Sequence, residues 1–145
     1  MQPINVVFIG DGGVGKTSII NRLSGHGFAE IYSPTFGFTF LEEGIIDSSG
    51  QEKLGTDWST LRDLDRIVIV FDLTSRISFR NIGFWIKIAR REFPSAQIYL
   101  VGNKSDCHHR VNRHAIDALR DREQILYTEV SARLDHNIGL ILAPS

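Results

Sequence analysis

The sequence predicts an α/β fold: a mostly parallel sheet with helices on both faces. Two observations carry that prediction. Short, unbroken apolar runs of strand length alternate with segments of helical period, and the first such run opens directly into a glycine-rich loop. Runs of this kind are strands buried on both faces, which a parallel sheet wrapped by helices requires. Val6–Ile9 is the first strand and Thr17–Ser24 the helix after the loop. Ile67–Phe71 is a second buried strand, ending at Asp72. Phe79–Arg91 reads as a helix with Phe79, Ile82, Trp85, Ile86 and Ala89 on one face, and Pro94 stops it. Ile98–Val101 is a third strand, His114–Asp121 a helix, and Ile125–Val130 a fourth strand.

At 145 residues the chain is expected to form one domain, residues 1–145, with a core of its own. A net charge of −1 gives no electrostatic basis for binding nucleic acid or an anionic membrane. The single cysteine, Cys107, excludes an internal disulfide and fits a reducing compartment. The longest apolar runs are far too short to span a bilayer. The N-terminus has no basic leader, and the end "LAPS" carries no cysteine for prenylation. The expectation is a cytoplasmic chain with no direct membrane anchor, brought to a membrane only by a partner.

"GDGGVGKTS", Gly10 to Ser18, follows the first strand and opens the first helix. This is the G-x-x-x-x-G-K-[ST] pattern in its required strand–loop–helix context. Gly10, Gly12, Gly13 and Gly15, with Asp11 and Val14 between them, let backbone N–H groups turn inward around phosphates. The helix that follows, opening at Thr17 and Ser18, points its positive end at the same place. Lys16 is expected to reach the β- and γ-phosphates, and the Thr17 hydroxyl to ligate Mg²⁺. A small-molecule kinase with a P-loop has the same residues, so the loop does not choose the nucleotide.

The choice rests on "NKSD", Asn103 to Asp106, and "SAR", Ser131 to Arg133, at the ends of the third and fourth strands. Ligands bind at these ends in parallel α/β sheets. The two acceptor oxygens of Asp106 match the adjacent N1–H and N2–H₂ donors of guanine. Adenine offers no such pair, so the site selects GTP and GDP over ATP. A backbone N–H near Ala132 is placed to donate to guanine O6.

Together GDGGVGKT, PT, DSSGQE, NKSD and SAR resemble the Ras superfamily of small GTPases. "FGFTF", "GQEKL", "FDLTSRISFRNIGFW" and "LVGNKSD" resemble its Rab branch, and "STLRD" and "SARLDHNIGLIL" are similar to Golgi-type Rabs. The resemblance covers nearly the whole chain. It implies a P-loop NTPase G domain that binds GTP and GDP with Mg²⁺ and hydrolyses GTP slowly without an activating protein. It also implies exchange factors, activating proteins and effectors at the switch segments, and work in vesicle-mediated transport at the Golgi. On matching positions, Phe28 packs on guanine, Thr35 meets Mg²⁺ and the γ-phosphate, and Asp47 holds the metal through water. Gly50 senses the γ-phosphate, Gln51 orients the attacking water, and Lys104 lies along the base. Arg133 stands where the family usually has lysine.

Several features depart from the family pattern. Only eleven residues separate Thr35 from Asp47, so the hairpin between the family's second and third strands is shortened. Four residues out and four back, at roughly 3.3 Å each, still reach about 13 Å, and Gly44 supplies the turn. Ser49 replaces the usual Ala, Ile46 replaces the aromatic before Asp47, leaving Phe40, and the last helix is truncated to "HNIGLILAPS", which should leave sheet surface uncovered. Ser49 and the shortened elements raise an alternative, a GTP-binding scaffold with little hydrolysis. "CHHR" lacks zinc-ligand spacing. Trp85 and Phe84 read as packing, Arg90 and Arg91 as a solvated helix end, and Trp58, in the expected second switch helix, as either core or partner anchor.

Overall fold

The computed structural model describes residues 4–25, 30–33, 38–41, 44–48 and 56–144. These residues form one seven-stranded sheet. In chain order its strands are β1 (Val6–Gly10), β2 (Glu30–Ser33), β3 (Phe38–Leu41), β4 (Ile45–Asp47), β5 (Arg66–Asp72), β6 (Gln97–Asn103) and β7 (Leu126–Glu129). Their spatial order is β2-β3-β4-β1-β5-β6-β7. The pairs from β4 through β7 are parallel, and β2–β3 and β3–β4 are antiparallel. The helices are α1 (Lys16–Ser24), α2 (Arg76–Arg80), α3 (Ile82–Glu92) and α4 (Arg113–Glu123). The predicted α/β architecture is the observed one.

Alternation along the central strands sends side chains to two cores. Val7, Ile9, Ile67, Ile69 and Phe71 pack under Ile82, Trp85, Ile86 and Ala89 of α3 and Ile116 and Leu119 of α4. Val6, Phe8, Val68, Val70 and Val101 face Ile19 and Ile20 of α1 together with Ile138 and Ile141. Burial on both faces explains why β1 and β5 read as unbroken apolar runs.

Four details differ from the sequence reading. The helix predicted over Phe79–Arg91 is two helices, broken at Asn81; Ser75 caps the first by accepting from Ser78 N–H at 3.2 Å. The strand β2 at the sheet edge was not foreseen; it pairs Tyr32 with Thr39 and Ser33 with Phe38. The expected second switch helix is a short 3-10 turn, Trp58–Thr60, capped by Asp57, whose carboxylate accepts from Ser59 N–H at 3.0 Å. Trp58 is a core residue, 5% exposed, between Phe38, Trp85 and Phe93, which settles its two readings in favour of packing.

The fourth detail concerns the truncated last element, a 3-10 helix over Ile138–Leu142. Ile138 and Ile141 are buried against the sheet, and Tyr99 and Val101 beneath that face are covered too. The buried Arg66 guanidinium donates to the Ile141 carbonyl and to Gln97 Oε1, and lies over the Tyr99 ring. Burial lowers the pKa of Arg66 from its ordinary value. The uncovered surface expected from the short C-terminal segment is therefore absent among the described residues.

The short hairpin closes as its length allows. Phe40 pairs with Ile46 and Thr39 with Asp47 across the turn. Gly44 stands there at φ 78, and an added Cβ would lie 2.4 Å from Asn5 Oδ1, so both conformation and space call for glycine.

Candidate functional site

The loop after β1 wraps over the start of α1. Lys16 is 3% exposed, and its ammonium donates to the carbonyls of Gly10 and Asp11, each at 2.7 Å. These bonds fix the cation at the mouth of the loop. Gly15 stands at the N-cap of α1 in the left-handed region, with no side-chain cap. A Cβ on Gly15 would sit 2.3 Å from Asn103 Nδ2. The helix thus presents its first N–H groups, and their positive dipole end, to the loop interior.

The register of the sheet delivers the second group. Asp47 ends β4 and pairs with Phe8 of β1. Its carboxylate accepts from Thr17 Oγ1 at 3.0 Å. A hydroxyl and a carboxylate side by side are hard oxygen donors of the kind that suit Mg²⁺. The hairpin, short as it is, places Asp47 beside Thr17. Thr35, at its other end, lies outside the described residues, as do Phe28, Ser49, Gly50 and Gln51.

The ends of β6 and β7 form the other side. Asn103 ties three segments together: its Nδ2 donates to Val14 O at 2.9 Å, and its Oδ1 accepts from Ala132 N–H at 3.2 Å. The Ala132 amide, foreseen as a donor to guanine O6, is here engaged by Asn103. Ser131 Oγ donates to Asp106 Oδ1 at 2.8 Å. That bond, set against a smaller effect of burial, holds the Asp106 carboxyl below the ordinary carboxylate range. The group is therefore an ionised acceptor at neutral pH. Its side chain is 10% exposed, with the Arg133 guanidinium 3.9 Å away.

Lys104 adopts φ 68 and bonds to Asp72 at 2.7 Å and more loosely to Gly13 O at 3.4 Å. Burial would raise the pKa of Asp72, but hydrogen bonds from Lys104 and Thr74 outweigh it and lower the value. A cavity of about 840 Å³ opens between these groups, lined by Gly15, Ser18, Asn103, Lys104, Asp106 and Ala132 among others. Residues predicted from three distant motifs thus line one cavity.

Two contributors escaped the sequence reading. Arg22 of α1 donates from Nε to Ala132 O at 2.7 Å and from a terminal nitrogen to Arg133 O at 2.8 Å, clamping the loop after β7. No local pattern marks it, since its partners lie more than a hundred residues away. Asp72 did leave a signal, an acid closing the apolar run "IVIVF". Among the described residues no group of three or more His, Cys, Asp or Glu is placed to hold a metal ion.

Comparison with known proteins agrees with this geometry. The Ras family model matches residues 5–143. The chain is 36% identical to Ras-related protein Rab-32D of Dictyostelium discoideum, over 94% of this chain and 69% of that protein. It is 33% identical to the GTP-binding nuclear protein GSP1 of Encephalitozoon cuniculi, over 93% of this chain and 71% of that protein. It is 31% identical to human Ras-related protein Rab-44, over 92% of this chain but 15% of that much longer protein. The kinase alternative has no place in this company. The chain belongs to the Ras family and is a Rab-like small GTPase.

Proposed function

We propose that residues 1–145 act as one G domain, with guanine held by Asp106 and the phosphates by the loop from Gly10 to Ser18. The observation that carries this reading is the Asn103 bridge, which joins the phosphate loop and the segment after β7 around one cavity. In this reading Asp106 accepts from both guanine donors, Lys104 lies along the base, and Lys16 supplies positive charge to the β- and γ-phosphates. Ser131, Ala132 and Arg133 close the base side and Phe28 packs on it. Thr17 and Asp47 offer the oxygens for Mg²⁺, with Thr35 completing the set and Gly50 sensing the γ-phosphate. The metal, when bound, neutralises charge developing on the phosphate oxygens.

Gln51 is the catalytic residue of this proposal, orienting the attacking water. Turnover is slow in this reading because the arginine that stabilises the transition state comes from an activating protein. Exchange factors and effectors engage the switch segments. The Rab-like segments support a role in vesicle-mediated transport, at the Golgi by their likeness to Golgi-type Rabs, with the protein cytoplasmic and brought to membranes by partners. Among the described residues no helix is long and apolar enough to cross a membrane.

Chromatography of the nucleotide retained after denaturation should show GDP or GTP; adenine nucleotide there would contradict the proposal. Ser49 favours a second reading, a binder that barely hydrolyses. Single-turnover hydrolysis separates the two. The proposal expects slow GTP cleavage that Gln51→Leu reduces by about tenfold or more while binding stays nearly intact. Equal rates in both proteins would make Gln51 a bystander.

A further inference from the structure

Asp11 is an acid inside a loop built to hold an anion. Its side chain accepts from Asn81 Nδ2 at 2.7 Å on one oxygen and from Trp85 Nε1 at 2.8 Å on the other. Both donors belong to the start of α3. Asn81 stands at the N-cap of α3, where asparagine ordinarily gives its oxygen to its own helix. Here it makes no side-chain cap bond, and its amide is turned to Asp11 instead. Trp85 follows four residues later on the same face.

We propose that Asn81 and Trp85 are positioning residues for the phosphate loop, acting through Asp11. Two effects follow from the geometry. The acidic side chain is drawn toward α3 and away from the phosphate space, where it would repel a bound polyphosphate. The Asp11 backbone is fixed at the same time, and its carbonyl is one of the two that hold Lys16. The anchor also continues beyond the loop. The Trp85 ring meets Trp58 edge-on at 6.4 Å, and Trp58 lies 5.6 Å from Phe38. These two aromatics flank, in sequence, the segments that hold Gln51 and Thr35.

This inference rests on the nucleotide-site reading, and its test keeps the two apart. Release of fluorescently labelled GDP is timed after adding excess unlabelled GDP to wild type, Asn81→Ala, Trp85→Phe, Asp11→Ala and the two doubles with Asp11→Ala. Asn81→Ala and Trp85→Phe should each speed release by about tenfold, as expected for losing a hydrogen bond to a carboxylate. In the Asp11→Ala background neither should add more than about twofold, because residues acting through one partner are not additive. A purely structural role would add equally in both backgrounds and would overturn the proposal, as would release within about twofold of wild type in Asn81→Ala. Trp85 is buried, so Asn81→Ala, at a half-exposed position, carries the test if the Phe variant does not fold. A wild-type chain that holds no GDP overturns the site reading and this inference with it.

Discussion

On the base side of the cavity the bonds span the chain: Arg22 reaches Ala132 across 110 positions, and Asn103 reaches Val14 across 89. On the phosphate side Lys16 bonds to carbonyls five and six positions before it. The cation of the phosphate loop is thus held locally, within one strand–loop–helix unit, and the distant Asn81 and Trp85 brace that loop only through Asp11. The base side is an assembly of three segments that meet only when the sheet is formed. Two carbonyls that hold Lys16 lie within its own loop, whereas the base side depends on tethers between distant segments.

That difference can be broken from either side. The largest effect is expected from Lys16→Ala, which removes the buried cation and two charge-assisted bonds. Affinity for GTP should fall by about a thousandfold, and for ATP, however weak, in similar proportion, because phosphates do not report the base. Calorimetry or labelled-nucleotide titration measures it. Asp106→Asn should come next, weakening GTP by about a hundredfold or more while leaving binding of inorganic triphosphate unchanged. Equal loss for GTP and triphosphate would show that the two sides are not separable. Arg22→Ala is the finer probe. It frees the loop after β7 without touching the acceptor, so GDP should dissociate about tenfold faster with a small change in association. Stopped-flow rates test this, and an unchanged dissociation rate would assign the clamp to stability alone.

The same contrast explains what could be read from the sequence. The loop from Gly10 to Ser18 was legible because its chemistry and its spacing are one local pattern. The strands β1, β5 and β6 were legible because burial on both faces leaves continuous apolar runs. Gly44 was legible as a turn because the short chain between Thr35 and Asp47 must reverse; its close approach to Asn5 was not. Strand β2 was not, because its four residues become a strand only by pairing with β3. The break at Asn81 was hidden because the apolar spacing of Phe79, Ile82, Trp85 and Ile86 continues across it. Arg22 and the Asn81–Trp85 anchor of Asp11 are side chains whose partners lie 70 or more positions away, beyond any periodicity. Cover for the sheet above Tyr99 was misjudged for a related reason. Length alone said the last element was too short, but two isoleucines and the Arg66 bond are enough to seat it.

Selection of guanine by the assembled side is what the proposed function most depends on. The most direct measurement is displacement of labelled GDP from the wild-type chain by rising GTP or ATP at fixed Mg²⁺. GTP should compete at near-stoichiometric concentration, whereas ATP should need at least about a hundredfold more. Displacement by ATP and GTP at the same concentration would contradict guanine selection.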